Sequence, residues 1–378
     1  MNVFVACDSY KGCMSSKTVN QIVKKAILAV NDKNEVTTFS MGDGGEGTVD
    51  AFVDACKGTM VKKKVHDAYF KSLEAKYGLI DDGKTAVIEV ASCIGLNMYE
   101  REKRHPLYAT SYGVGELLMD AYRRKVNKII IALGGSSTND GGMGMLQALG
   151  ARFYDQNNMK LKSNAINLKK IERIDLSKFQ FMNDIEIIAA CDVKNKLLGE
   201  QGATYTFGKQ KGLYANQIKK IDKAMENYAT KFLSLGYDIA KEEGSGAAGG
   251  IGAALSLLGA KHIGGLDLLR SYSDFDKMIK NSNLVITGEG QSDFQTLYGK
   301  VPVGVVEIAN QYNKPCICIS GALGVEYNKL YDKGFIGIYS VADRAMSFAQ
   351  ALELAPEKLY ACAYTIFKTI NYYVEEGK

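Results

Sequence analysis

The feature that most limits what this chain can become recurs five times: an apolar run that stops in a loop of glycine, serine or threonine, and acid, at residues 7–12, 41–48, 133–144, 191–203 and 287–300. The runs "NVFVAC", "KIIIAL", "IEIIAAC", "NLVITG", "PCICIS" and "FIGIYS" are continuously apolar, as expected of parallel strands buried on both faces. Helical periods follow two of them. After "DSYKGCM", Val19, Ile22, Val23, Ala26 and Ile27 recur at three- and four-residue steps, with Ser15 or Ser16 as the cap, and "VPVGVVEIANQY" follows the last loop. Strand, polar loop and helix make half of a βαβ unit. In open α/β sheets ligands bind beyond the carboxyl ends of the strands, so the five loops are expected to serve one cleft.

A chain of 378 residues that is 46% apolar is too long for one ordinary core, which predicts two domains. The texture changes near residue 59. Leu73, Ala75, Tyr77 and Leu79 alternate, "DDGK" supplies a turn at 81–84, and Ala86, Ile88 and Val90 alternate again, which predicts an antiparallel hairpin. A helix is expected near 111–124, βαβ texture returns near 283, and the last thirty residues read as helix. The net charge of +5 is small and the lysines are dispersed, so a nucleic-acid groove or a membrane-binding face is not indicated. Thirty-nine glycines against four prolines suit a rigid scaffold with many close backbone approaches. The eight cysteines form no C-x-x-C pair and the three histidines lie far apart, so reduced thiols, no structural metal and a cytosolic setting are expected. No basic leader precedes an apolar segment at the start, and no run of about 18 apolar residues occurs.

Chemistry gathers in the loops. In "GGSSTNDGGMG", residues 134–144, small residues allow backbone N–H groups and the hydroxyls of Ser136, Ser137 and Thr138 to surround a phosphate, and Asp140 suits Mg²⁺. It is not a Walker A loop, because no lysine lies within it. "TGEGQSDFQTLYGKVPVG", 287–304, offers Glu289, Asp293 and then Lys300, a carboxylate-and-lysine set able to hold a metal–phosphate complex. Lys11 adds a cation just past the first strand. Acid-bearing glycine loops with isolated lysines are coherent with Mg²⁺-dependent phosphoryl transfer.

Competing readings are weaker. Gly42, Gly44 and Gly47 satisfy G-x-G-x-x-G, with Asp67 about twenty residues on as in a dinucleotide fold. Asp43 and Glu46 would then face the pyrophosphate, and the loop follows the second strand and not the first. The longer protein-kinase match fails because neither H-R-D nor D-F-G is present, and a G-x-S-x-G elbow is missing.

Six motifs in this order and spacing, "DSYKG", "GDGGEGT", "GGSSTNDGGMGML", "CDVKNKLLGEQGA", "GSGAAGGIGAAL" and "TGEGQSDFQTLYGKVPVGV", closely resemble the bacterial glycerate kinases of the type-1 family. The likeness runs from about residue 3 to about 345 and includes "RHPLYATSYGVGELL". It implies ATP-dependent phosphorylation of D-glycerate at the 2-hydroxyl, with the 3-hydroxyl as the alternative; the rival from residues 42–67 is an NAD-dependent hydroxy-acid dehydrogenase. It implies an α/β fold with a Rossmann-like parallel-sheet domain from residues 1–58 and 283–378, and an inserted mixed α/β domain over 59–282 carrying the hairpin, with the active site in the interdomain cleft. On that resemblance Gly134, Gly135, Ser136, Ser137, Thr138, Gly141 and Gly288 are expected around the ATP phosphates. Asp192, Asp293 and Glu289 are directed at Mg²⁺, and Lys11 and Lys300 neutralise the transferred group. Asp8, Ser9, Gly44, Gly45, Glu46 and Arg104 are the expected glycerate contacts, with Asp43 or Asp192 as base. The implied partner is a small molecule, not nucleic acid or membrane, in a cytoplasmic protein for which a homodimer is left open. Lys196 and Lys209 stand where the family's pattern has proline, and His105 where it has asparagine.

Overall fold

The computed structural model describes residues 1–42 and 44–375. Its two main sheets take, in chain order, β1 (Asn2–Val5), β2 (Glu35–Thr38), β3 (Thr59–His66), β4 (Ser72–Ile80), β5 (Thr85–Glu89), β6 (Lys128–Ala132), β7 (Glu186–Ala190), β8 (Lys261–Ile263), β9 (Leu284–Thr287), β10 (Cys316–Ser320) and β11 (Phe335–Ser340). The helices that matter below are α1 (Ser16–Val30), α2 (Thr48–Cys56), α3 (Tyr112–Arg123), α4 (Met143–Ala148), α5 (Ala247–Ser256), α6 (Val301–Gln311) and α7 (Phe348–Glu375). The chain forms two compact units, one from Met1–Asp43 with Leu266–Lys378, the other from Gly44–Gly265.

The first unit is built on an all-parallel sheet of order β11-β10-β9-β1-β2. Its strands are the continuous apolar runs, and both faces are covered. Val3 and Val5 point toward Val19, Val23 and Ile27 of α1 and Leu359, Ala363 and Phe367 of α7. Phe4 points the other way, edge-on to Phe275 at 5.3 Å, and Phe275 meets Phe39 at 5.0 Å. Ser15 caps α1 by accepting from the Thr18 N–H at 3.2 Å. Ser16 acts differently. Its hydroxyl donates to the Cys7 carbonyl and accepts from the Met41 N–H, tying the ends of the first two strands together.

The second unit carries a mixed sheet of order β8-β7-β6-β5-β4-β3. Strands β5 to β8 are parallel, and β4 runs antiparallel to both β5 and β3. The expected hairpin is there, its turn made by Asp81, Asp82 and Gly83 at positive φ. The core gathers Tyr77, Ile88, Leu117, Ile131, Leu146 and Phe232, all essentially unexposed.

The unit boundaries correct the expected 58/59 and 282/283 at both ends. Helix α2 packs on the second sheet, since a methyl placed on Gly78 of β4 would strike the Val49 and Val53 side chains. Residues 266–282 belong with the first unit because Phe275 completes the aromatic cluster on Phe4, and Leu266 covers Gly304 of α6. Both segments are amphipathic, so the sequence leaves open which sheet receives them. Among the described residues no helix is long and apolar enough to cross a membrane. All eight cysteines are unbridged.

Candidate functional site

In the first unit the chain leaves β1 toward β2 and leaves β9 toward β10, so the connections diverge between these two neighbours. Such a reversal opens a crevice past the strand ends where open α/β sheets hold ligands. The two loops bordering it are locked together, with the Asp8 N–H donating to the Gly288 carbonyl at 2.8 Å. Tyr10 reaches across to donate its hydroxyl to the Ile319 carbonyl at 2.8 Å. Gly288 sits so close to Ile319 of β10 that any β-carbon would enter the carbonyl oxygen.

A cavity of about 380 Å³ opens there, lined by Asp8, Ser9, Lys11, Glu289, Gly290, Lys300 and Lys358, with Phe348, Leu352 and Ala355 of α7 as an apolar wall. Asp8 is buried and its Oδ1 accepts from the Ser9 N–H at 2.7 Å. Glu289 is also buried. Its Oε1 accepts from Thr296 at 2.6 Å and Ser292 at 3.1 Å, and its Oε2 faces the Lys300 ammonium at 3.1 Å. Lys300 stands at the cap position of α6, with Pro302 just inside the helix. Of the three ammonium groups, Lys358 is paired with Asp343 at 2.7 Å and Lys300 with Glu289 at 3.1 Å; lysines beside an apolar wall suit an anion attached to a planar or apolar group. Asp293 lies apart from this lining: it caps the turn Phe294–Tyr298, its Oδ1 accepting from the Gln295 N–H and its Oδ2 from Gln291. Of the expected residues, then, this unit gathers Asp8, Ser9, Lys11, Glu289 and Lys300, with Gly288 shaping the loop.

In the second unit the loop after β6 is shaped by backbone contacts. The Gly134 N–H donates to the Gly44 carbonyl at 2.6 Å. A β-carbon on Gly134 would lie 2.6 Å from the Gly45 α-carbon, and one on Gly44 would lie 3.1 Å from the Ala190 carbonyl oxygen. The glycines of "GDGGEGT" therefore serve chain-to-chain approach inside the protein, and Gly47, at φ 93°, starts α2. The glycine spacing is thus accounted for without a dinucleotide. Asp67 is likewise occupied, accepting from the Tyr69 and Lys71 N–H groups in a turn. Glu46 is exposed and accepts from Asn97 at 3.0 Å. Asp43 lies outside the described residues.

The three hydroxyls of the loop differ. Ser137 is turned inward, its N–H and its Oγ both donating to the Ile94 carbonyl at 2.9 Å. Thr138 is fully buried and its hydroxyl has no partner among the described residues. Ser136 accepts at 2.9 Å from the ammonium of Lys211, which also donates to the Thr138 carbonyl at 2.7 Å. The lysine that the loop lacks in sequence thus arrives from 75 residues away. Burial lowers its pKa to about 7, with Asp140 opposing the shift. Gly249 of α5, at φ 68°, leaves the space that this ammonium and the Thr138 carbonyl fill.

Asp140 does not offer itself to a metal ion. It is completely buried and spends its oxygens on four donors, the Ser111 N–H and hydroxyl and the N–H groups of Gly142 and Gly144. Burial pushes its pKa up, and those donors pull against the shift. Asp140→Asn turns one acceptor into a donor facing N–H groups, so it is expected to destabilise the protein by about 3 kcal/mol, read as a lowered thermal unfolding midpoint. An unchanged midpoint would show that these donors do not hold the carboxylate.

The remaining expected residues sit elsewhere in this unit. Asp192, just past β7, accepts from the Gly265 N–H at 2.8 Å. Arg104 is tethered to the carbonyls of Tyr99 and Gln210 and lines a small cavity of about 240 Å³ with His105 and Lys209. Among the described residues no three histidine, cysteine, aspartate or glutamate side chains are grouped to hold a metal ion. Two residues that sequence reasoning passed over stand beside the expected loops of this second unit, Lys211 and Glu89. Glu89 is buried at the end of β5 and accepts from the Val49 N–H at 2.6 Å. Burial raises its pKa to about 7, with that N–H opposing. An acid closing an otherwise apolar strand was the available signal; Lys211 had none, because its contact is wholly non-local.

Comparison with known proteins places these features in one family. The model of the glycerate kinase family matches residues 3–371. A glycerate kinase of Halalkalibacterium halodurans is 39% identical over 367 residues, 96% of this chain and 97% of that protein. The glycerate 2-kinase of Escherichia coli K12 is 36% identical, covering 98% of each chain. A crystal structure of a candidate glycerate kinase 2 from Salmonella typhimurium LT2 superposes with a TM-score of 0.82 at 36% identity, covering 99% of both chains.

Proposed function

Because the chain belongs to the glycerate kinase family, we propose that this kinase transfers a phosphoryl group from ATP to the 2-hydroxyl of D-glycerate, giving ADP and 2-phosphoglycerate. The observation that carries the reading is the cavity at the β1/β9 divergence, where Lys11 and Lys300 come from neighbouring strand-end loops. Phosphoryl transfer passes through a loose transition state with charge spread over the equatorial oxygens, so positioned cations do most of the work. Lys11 and Lys300 supply that charge. Glu289 holds the Lys300 ammonium in place, and the apolar face of α7 excludes water that would compete with the alcohol. The Escherichia coli relative's name, glycerate 2-kinase, supports the 2-hydroxyl as acceptor.

We assign Mg²⁺ to the nucleotide phosphates. This ion keeps several waters and needs only one or two carboxylates, so a dedicated cluster is not required. Glu289 and Asp293 are committed to internal donors. Asp8, which lines the cavity, fits the role in the first unit, and Asp192 has the same capacity in the second. The ion would neutralise phosphate charge when bound. We read the two units as two domains of one cytosolic enzyme.

The test is an ADP-release assay with ATP and a panel of hydroxy acids. D-Glycerate is expected to give turnover that excess chelator abolishes and Mg²⁺ restores. Turnover indifferent to the chelator would remove the metal from the account. Oxidation of a hydroxy acid coupled to NAD, with no ADP formed, would replace the kinase reading altogether.

A further inference from the structure

The 134–140 loop has no cation of its own, contains a buried carboxylate in Asp140, and yet is the most glycine- and hydroxyl-rich strand end in the second unit. Lys211 changes its electrostatics. The residue is 3% exposed, its ammonium has two oxygen partners on the loop, and no carboxylate touches it among the described residues. A buried ammonium that lacks an ion-pair partner is costly unless an anion arrives to balance it.

The hydrogen bonds also fix a direction. Since Ser136 Oγ accepts from Lys211, its own proton must point away from the ammonium, and no acceptor for that proton is found among the described residues. Thr138 Oγ1 and Asn139 Oδ1 are buried without partners in the same turn. Ser137, by contrast, is satisfied internally.

We propose that Lys211 is a positioning residue: its ammonium holds the Ser136 hydroxyl as a donor toward an oxyanion of a reactant and gives the loop the positive charge it otherwise lacks. The oxyanion is a carboxylate of the hydroxy acid or a phosphate of the nucleotide, which share this chemistry. The inference rests on the kinase reading for the identity of the reactants, but its binding arm does not.

Charge state follows from the surroundings. Among the described residues the charged group that acts on the lysine is Asp140 from the loop; Arg104 is bonded to the carbonyl of the adjacent Gln210, and Gly249 of α5 lies against the ammonium. Burial lowers the ammonium's pKa to about 7, below the ordinary 10.5. Between these values the folded protein binds fewer protons than the unfolded chain, so the ammonium fades as pH rises through about 7 and anion affinity falls with it. Binding of the anion draws the proton back on.

The experiment compares the wild type with Lys211→Met, Lys211→Arg, Ser136→Ala and the double variant Lys211→Met/Ser136→Ala. KM and kcat are measured for each reactant, and binding of D-glycerate, ADP and inorganic phosphate is measured by calorimetry from pH 6 to 9 in two buffers of different ionisation enthalpy. Lys211→Met is expected to raise KM for one anionic reactant by about 100-fold while leaving the other within about threefold, which identifies the oxyanion. Ser136→Ala is expected to cost about tenfold alone and almost nothing in the Lys211→Met background. Lys211→Arg keeps its charge and is expected to abolish the decline above neutral pH. Losses that multiply independently in the double variant, or a folded Lys211→Met enzyme with every constant within about threefold of wild type, would overturn the proposal. Should Lys211→Met fail to fold, a wild-type affinity that does not fall above pH 7 overturns it equally. Absence of glycerate turnover in the wild type would defeat the kinase reading alone, leaving inorganic phosphate binding to decide on Lys211.

Discussion

Lys11→Ala is expected to lower kcat/KM for glycerate phosphorylation by about a thousandfold with no measurable change in thermal stability. The side chain is exposed and lines the cavity beside Asp8, so its removal leaves no buried hole, and surface substitutions of this kind usually stay within about 0.5 kcal/mol. A charge placed where the transferred phosphoryl group develops its own is a different matter, since it acts in a partly water-excluded space. Lys300→Ala tests the same idea less cleanly, because it also strips Glu289 of the ammonium at 3.1 Å and leaves a buried carboxylate holding only hydroxyls. Steady-state kinetics beside a melting curve separates the two. Lys11→Ala turning over within about threefold of wild type would remove the charge-clamp role from this loop.

Gly288→Ala is expected to be the most damaging single-methyl change in the first unit. Its φ is not in the left-handed region, so the obstacle is purely spatial: the new methyl would enter the Ile319 carbonyl oxygen. Neither wall can yield cheaply. Gly288 accepts from the Asp8 N–H, and Ile319 accepts from the Tyr10 hydroxyl, so relief means separating the loops that frame the cavity. A loss of about 3 kcal/mol or more follows, or roughly 6–12 °C in the unfolding midpoint for a unit of this size. Gly299→Ala is the control. That residue has φ 92° and nothing within 4 Å of where the methyl would stand, so it carries conformational strain alone, on the order of 1 kcal/mol. Equal shifts for the two variants would show that crowding at Gly288 is not what shapes the loop.

Much of the fold was legible because its signals are local. Continuous apolar runs announced β1, β6, β7, β9 and β10, and alternation with "DDGK" announced the β4–β5 hairpin. What stayed hidden depends on pairing between distant segments. Helix α2 has one apolar stripe that would suit either sheet, and only Gly78, which makes room for Val49 and Val53, decides in favour of the second. Strand β3 escaped notice because Lys62, Lys63 and Lys64 follow one another in an edge strand of which only Val65 is buried.

The site was legible to a similar degree. Chain direction alone brings strand ends together, and the loops after β1 and β9 set Asp8, Lys11, Glu289 and Lys300 around one cavity. Partner choice within the loops was not readable. Asp140 and Asp293 look like metal carboxylates in sequence and are taken up by N–H donors in the fold. The glycines of "GDGGEGT" look like a phosphate fingerprint, yet Gly44 and Gly45 are there to let Gly134 and Ala190 come close. Lys211 required the tertiary structure because its partners are far away in the chain, whereas Glu89 left a signal as an acid closing an apolar strand, and burial, more than its acidic neighbours, raises its pKa to about 7.

The central claim is that this chain phosphorylates glycerate, and one mixture tests it most directly: D-glycerate, ATP and Mg²⁺ with the wild-type protein, followed by phosphorus and proton NMR. The account predicts ADP and 2-phosphoglycerate appearing in equal amounts, with the phosphate coupled to the proton on carbon 2. Coupling to the carbon-3 protons would contradict the regiochemistry, and glycerate left unphosphorylated would contradict the account itself.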